Sequence, residues 1–168
     1  MSPVTVQDVL IAALIGVAVV TDVRSSRIPN ALTFTGMVVG IAFSALQGEY
    51  FAGILGILAA FAPGFLFWRL GGAWGAGDVK LLMAAGALLG PWEALRLVAF
   101  VILVSIPFGL WKLWRSGRLR SLLKVVKAGI RQEADGPKPT STPFAVAIAL
   151  AWIAFRLLPG WPPIGPWK

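Results

Sequence analysis

The sequence predicts an all-α, polytopic membrane protein of about six transmembrane helices. Three observations carry that prediction: the composition, the spacing of the apolar runs, and where the basic residues fall between them. Of 168 residues, 58% are hydrophobic and 13% charged, and mean hydropathy is +0.82. Soluble domains are about 45–50% apolar and about 25% charged, so this chain has too little polar surface to cover a globule in water. The length suits one compact bundle, and residues 1–168 are expected to form a single integral-membrane domain.

A helix that crosses a bilayer needs about 20 largely apolar residues, within a range of about 17–25. The first run extends from Val6 to Thr21 and stops at Asp22-Val-Arg-Ser-Ser-Arg27. It has no basic region before it and no small-residue cleavage site after it, so it reads as a retained span rather than a signal peptide. The second runs from Ala31 to about Gln47, after a turn marked by Pro29 and with Asn30 expected as its N-cap. The third spans Phe51 to about Trp68. The fourth follows Gly77 and ends near Gly90-Pro91. The fifth spans about Ala94 to Trp111, and the sixth Phe144 to about Leu158.

The loops obey the positive-inside rule. Arg24 and Arg27 lie in the first loop; Arg69, with Lys80 just beyond, marks the third. Lys112, Arg115, Arg118, Arg120, Lys124, Lys127, Arg131 and Lys138 fill the fifth. Of the 15 Lys and Arg residues only Arg96, Arg156 and Lys168 fall on the other side. Six spans with both termini outside are therefore expected, with the odd loops in the cytoplasm. The net charge of +8 and pI of about 10.9 are explained by orientation in a membrane, and nucleic acid is not an expected partner.

The fifth loop has a pattern of its own. Leu119, Leu122, Leu123, Val126 and Ile130 share one helical face, flanked by Arg118 on one side and by Arg120, Lys124, Lys127 and Arg131 on the other. A basic amphipathic interfacial helix is expected at about 116–132, its side chains reaching anionic headgroups of the lipid bilayer. An extended connector, about 133–143, leads to the last span. Trp68, Trp74, Trp92, Trp111, Trp114, Trp161 and Trp167 lie near span ends and are expected to form interfacial belts.

The chain has no cysteine and no histidine. That excludes disulfides, thiolate metal sites, Ser-His and Cys-His nucleophiles, and histidine-ligated zinc peptidases. Seven acidic residues remain. Asp8, Glu49 and Glu93 are expected at the outer face, and Glu133 and Asp135 in the polar fifth loop, all as solvated or interfacial charge. Asp22 and Asp78 differ, because each sits where an apolar span meets a cytoplasmic loop.

Asp78 lies in Gly71-Gly-Ala-Trp-Gly75-Ala-Gly77-Asp78-Val-Lys80-Leu-Leu, where four glycines permit unusual backbone and close approach. The apolar run after it covers roughly 20 Å at ~1.5 Å per residue, short of a ~30 Å hydrocarbon core. Non-helical backbone should help complete this span, in a recess buried in protein or lining a wet cavity. An ionisable residue there is a functional candidate. Asp22 has Arg24 and Arg27 near it in sequence, either of which can pair with it. Two aspartates sharing one site can share a proton, one activating water while the other polarises a carbonyl. Such a pair cleaves peptides without nucleophile, metal or cofactor. A proton- or ion-coupled transporter using the acids as a relay, or a non-enzymatic component of a pilus or secretion apparatus, are the competing readings.

At these residues the sequence resembles the type IV prepilin peptidases, membrane aspartic peptidases of the GxGD class. Asp22-Val-Arg-Ser-Ser-Arg27-Ile28-Pro29-Asn30 is similar to the family's aspartate followed by an Arg/Lys-Ile-Pro-Asn turn. Gly75-Ala-Gly77-Asp78-Val-Lys80-Leu81 matches its Gly-x-Gly-Asp-x-Lys-Leu core. Pro143-Phe144-Ala145 looks like its Pro-Phe/Tyr-Gly segment, with alanine where that glycine is often found. The resemblance implies Asp22 and Asp78 as catalytic pair, Gly75 and Gly77 as the place where substrate backbone approaches, and Pro29, Asn30, Pro143 and Phe144 as structural motif residues. It leaves Lys80, Arg24 and Arg27 as electrostatic support. It implies cleavage of the basic leader of prepilin-like proteins at the cytoplasmic side of a bacterial or archaeal inner membrane. Longer relatives carry a zinc-binding insert with paired Cys-x-x-Cys motifs. This chain resembles the compact form without it, so their N-methyltransferase activity is not carried over.

Overall fold

The computed structural model describes residues 5–69, 74–115 and 144–158, with side chains through 107 in the second stretch. Among the described residues all regular structure is helical. The helices are α1 (Val6–Ser25), α2 (Asn30–Leu46), α3 (Ala52–Arg69), α4 (Ala76–Leu89), α5 (Pro91–Arg115) and α6 (Phe144–Leu157). Each sits on one of the six apolar runs of the sequence. The basic segment 116–132 and the connector 133–143 lie outside the described residues.

The helix ends follow local chemistry. Thr5 caps α1: its hydroxyl lies 3.3 Å from the Asp8 N–H, and the Asp8 carboxylate accepts from the Thr5 N–H at 2.9 Å. At the other end α1 continues past the expected stop at Thr21 to Ser25. It closes on Ser26, whose backbone is left-handed (φ 51°) and whose N–H returns to the Asp22 carbonyl at 2.8 Å. Asp22 therefore stands inside the last turn of α1 rather than after it. Pro29, not Asn30, occupies the N-cap position of α2, and no side chain caps that helix. The expected loop between the fourth and fifth spans reduces to Gly90, whose φ of +77° turns the chain directly into α5.

The short helix α4 is the centre of the bundle. Asp78, Val79, Leu81, Leu82 and every residue from Ala84 to Leu88 are buried, and α4 packs on α1, α2, α3 and α5. Small residues let the backbones close in. A Cβ on Gly56 of α3 would lie 2.0 Å from the Gly86 carbonyl oxygen, and one on Gly40 of α2 would lie 2.5 Å from Ala87 Cβ. Glycine is required at both places, as is common where helices associate in lipid.

The outward faces are apolar. Val17, Val20, Phe34, Val38, Leu58, Phe65, Leu103 and Ile153 are all exposed. Soluble monomers rarely present continuous apolar surface of this extent. Two helices, α1 and α3, are long and apolar enough to cross a membrane, while α2 and α6 are shorter apolar helices. These are the marks of a membrane protein.

The interior corrects two expectations. Trp74 is not a belt residue: it is buried, stacked on Phe67 at 5.1 Å and tilted against Phe144 at 5.7 Å between ring centroids. Asp8 is not solvated: it is buried, and Arg156 reaches it at 2.9 Å. Glu93 pairs with Arg96 at 2.5 Å, and Arg96 is itself buried with its guanidinium 5.1 Å from the Phe155 ring centroid. Hydropathy reports how apolar a segment is, but not which side of a helix faces a neighbour.

Candidate active site

At one end of the bundle the last turn of α1, the first turns of α2, α4 and α6, and the Phe67 end of α3 converge. The opposite end gathers the start of α1, the ends of α2 and α4, and the end of α6. Gln7 there donates to the Leu88 carbonyl, Ser44 donates to the Ala87 carbonyl at 3.3 Å, and Asp8 meets Arg156. Asp22 and Asp78 thus arrive at the same end, as the alternation of charged loops requires.

Both aspartates are more than nine-tenths buried, with 9% of Asp22 and 7% of Asp78 exposed. Asp78 is the third residue of α4, and its Oδ2 accepts the Gly75 N–H at 2.8 Å. Gly75 is extended (φ −87°, ψ 162°). This reach-back from the third helical position satisfies a donor that an α-helix N-terminus leaves free. Asp22 is held from farther away. Its Oδ2 accepts the Ala145 N–H at 3.1 Å, across 123 residues of chain. Ala145 lies in the first turn of α6, where backbone N–H groups have no intrahelical partner and the helix dipole favours a negative charge. The two carboxylates are close enough for the charge of Asp22 to act on Asp78.

Neither carboxylate forms an ion pair with a cation among the described residues. Arg24 and Arg27 are exposed and do not pair with Asp22, although they are its sequence neighbours. Helix geometry explains this, since Arg24, two residues from Asp22, faces away from it on α1. Lys80 is turned elsewhere: its Nζ donates to Asn30 Oδ1 at 2.9 Å and sits 5.8 Å from the centroid of the Phe34 ring. Gly77 lies beneath Ile28, and a Cβ on it would meet Ile28 Cβ at 3.5 Å, an ordinary contact. Pro29 is exposed at the head of α2, Phe144 is buried against Trp74, and Pro143 falls outside the described residues.

Three participants were not singled out by sequence reasoning: the Ala145 N–H, Ile28 and Trp74. Ala145 had a signal, because the free N–H groups of a first helical turn must find partners. What it would bond required the packing of α6 on α1. Among the described residues no three His, Asp or Glu side chains group as a metal site. An open groove of about 480 Å³ between α1 and α6, lined by Val9, Ala12, Ala13 and Trp152, lies at the Asp8–Arg156 end, away from the aspartates. Chemically, the aspartate end offers two buried carboxylates within electrostatic range of each other, each fixed by a backbone donor.

A model of the type IV leader peptidase family matches residues 9–111, a stretch that holds both aspartates and the turn between α1 and α2. The chain is 36% identical over 120 residues to the prepilin leader peptidase/N-methyltransferase of Burkholderia pseudomallei strain 1026b, and equally to that of strain K96243. The aligned stretch is 66% of this chain and 38% of each relative. The chain thus spans well under half the length of the curated relatives it matches. No solved structure matches it.

Proposed function

The chain belongs to the type IV leader peptidase family, and on that premise we propose that it is a membrane aspartic endopeptidase that removes the basic leader of prepilin-like substrates. Asp22 and Asp78 are its catalytic pair. One carboxylate takes a proton from water, and the other, protonated, hydrogen-bonds the scissile carbonyl and stabilises the charge that develops on its oxygen. The Ala145 and Gly75 N–H groups hold the two carboxylates in register for that exchange. Gly75, exposed and without a side chain, is where substrate backbone passes.

The observation that supports this reading is that two buried carboxylates from α1 and α4 lie at one end of the bundle, each held by a backbone donor and neither ion-paired with a described cation. A buried acid pair of this kind is costly unless it has work to do. In the bilayer the six helices all span, both termini lie outside, and the aspartate end faces the cytoplasm with the basic loops. The substrate brings its positive leader to that face and its apolar helix into the membrane. The relatives' names include a methyltransferase, but the match covers 38% of their length, and only the peptidase activity is proposed. A proton relay for transport would place its acids along the spans, whereas these lie in the last turn of α1 and the first turn of α4.

The test is processing of a co-expressed prepilin-like substrate, read by mass spectrometry of the mature N-terminus. Asp22→Asn and Asp78→Asn are each expected to lower the cleavage rate by about 10³-fold while leaving the protein folded and membrane-inserted. Normal processing by either variant would sink the dyad.

A further inference from the structure

We propose that Lys80 and Asn30 are positioning residues: their hydrogen bond is a strut between the head of α2 and the head of α4 that sets the spacing of the Asp22 and Asp78 carboxylates. This rests on reading those two aspartates as the catalytic pair.

The side chains commit to each other rather than to the tasks their positions suggest. Asn30 stands at the head of a helix, where its amide could cap, yet α2 has no side-chain cap and Asn30 Oδ1 accepts from Lys80 Nζ at 2.9 Å. Lys80 stands two residues after Asp78, yet it forms no ion pair with Asp78 or Asp22. Phe34, one turn beyond Asn30 on the same face of α2, places its ring 5.8 Å from the Lys80 ammonium. One lysine of α4 is thus gripped by two residues of α2.

The placement gives the strut its consequence. Ile28 packs over Gly77, so the α1–α2 turn is anchored on both sides of Asp78: at residue 77 by contact and at residue 80 by the hydrogen bond. The same turn is tied to Asp22, because α1 closes with the Ser26 N–H on the Asp22 carbonyl at 2.8 Å. Only Ser26 to Pro29 separate that closure from α2. α1 packs on α4 and α6 directly, and the Ala145 N–H holds Asp22 from α6. The turn adds a second link, from α1 through α2, which lies broadly on α4, so the position of Asp22 relative to Asp78 depends in part on where the turn is pinned. An exposed hydrogen bond of this kind adds little to overall stability. A displacement of ~1 Å in reacting groups, however, can cost about 10²-fold in rate.

The experiment is a double-mutant cycle on the full chain in proteoliposomes with a prepilin-like substrate. Asn30→Ala and Lys80→Met should each lower kcat about tenfold with KM and the pH profile unchanged, and the double variant should be no slower than either single one. Lys80→Arg and Asn30→Asp, which keep a donor facing an acceptor, should stay within about threefold of the parent. Near-parental kcat in Asn30→Ala, additive losses, or a pH profile moved by Lys80→Met would overturn the strut. A second measurement does not depend on catalysis. The chain has no cysteine, so an Asp22→Cys/Asp78→Cys pair can be oxidised cleanly. Adding Asn30→Ala or Lys80→Met should slow that cross-link about fivefold or more, and an unchanged rate would refute the proposal. If the parent protein fails to cleave the substrate, the catalytic reading falls, and the cross-linking rate still decides the strut.

Discussion

At one end of the bundle Asp8 accepts from Arg156 at 2.9 Å and Glu93 from Arg96 at 2.5 Å. At the other end Asp22 and Asp78 accept backbone N–H groups, from Ala145 and Gly75, and form no ion pair with a described cation. All four are acids near the ends of helices in an apolar protein, but their chemistry differs. A carboxylate beside a guanidinium has its charge settled, so the pair serves as a polar clamp between or within helices. Asp22 and Asp78 are held instead by backbone dipoles, and in the proposed reaction one carries the proton that the other lacks. Burial alone does not single out the acids proposed as catalytic, since Asp8 and Asp22 are equally buried. What distinguishes them is the partner.

That contrast can be broken by moving partners rather than acids. After loss of either aspartate, the largest expected effect comes from Ala145→Pro. Proline is tolerated in the first turn of a helix, where the N–H has no intrahelical use, so this change removes the donor to Asp22. It also places a ring at a fully buried position after Phe144, so membrane insertion and thermal unfolding are read beside the rate. It should lower kcat by about 10–100-fold, as for one hydrogen bond to a charged group. An unchanged rate in a processing assay would show that Asp22 needs no fixed donor. Asp8→Asn tests the other end. It keeps an oxygen to cap α1 but cancels the ion pair with Arg156, and should cost about 1 kcal/mol of stability while processing stays normal. Thermal unfolding in detergent, read beside the processing assay, checks both halves, and a large loss of activity would erase the distinction between the two ends. The smallest effect belongs to Arg24→Gln combined with Arg27→Gln. Both side chains are exposed and neither reaches Asp22, so kcat should change less than about twofold. A shifted pH–rate profile in this variant would restore their role as tuners of the pair.

Much of this arrangement was readable along the chain. The apolar runs located the six described helices, and the alternation of basic loops put Asp22 and Asp78 at one end. The Arg27-Ile-Pro-Asn30 and Gly75-x-Gly-Asp78-x-Lys80 segments marked the turns that carry the site. The errors share a cause. Asp22 was placed after α1 because hydropathy falls at Thr21, while the helix is stopped four residues later by the left-handed Ser26. Asn30 was read as a cap from residue preference, although its side chain is taken by Lys80. Trp74 was assigned to a belt from its place near a span end, although it stacks inside on Phe67.

The sequence by itself determined where the described helices begin and end, within a few residues, and that Asp22 and Asp78 share one end of the bundle. Those properties are sums over neighbouring residues, and hydropathy, charge and cap chemistry are local. Only the tertiary structure decided who meets whom: Asp22 with the Ala145 N–H, Asp8 with Arg156, Asn30 with Lys80, Gly56 against Gly86. Those meetings depend on the rotation of each helix about its axis and on how closely two backbones approach, and both are settled by packing between segments far apart in the chain.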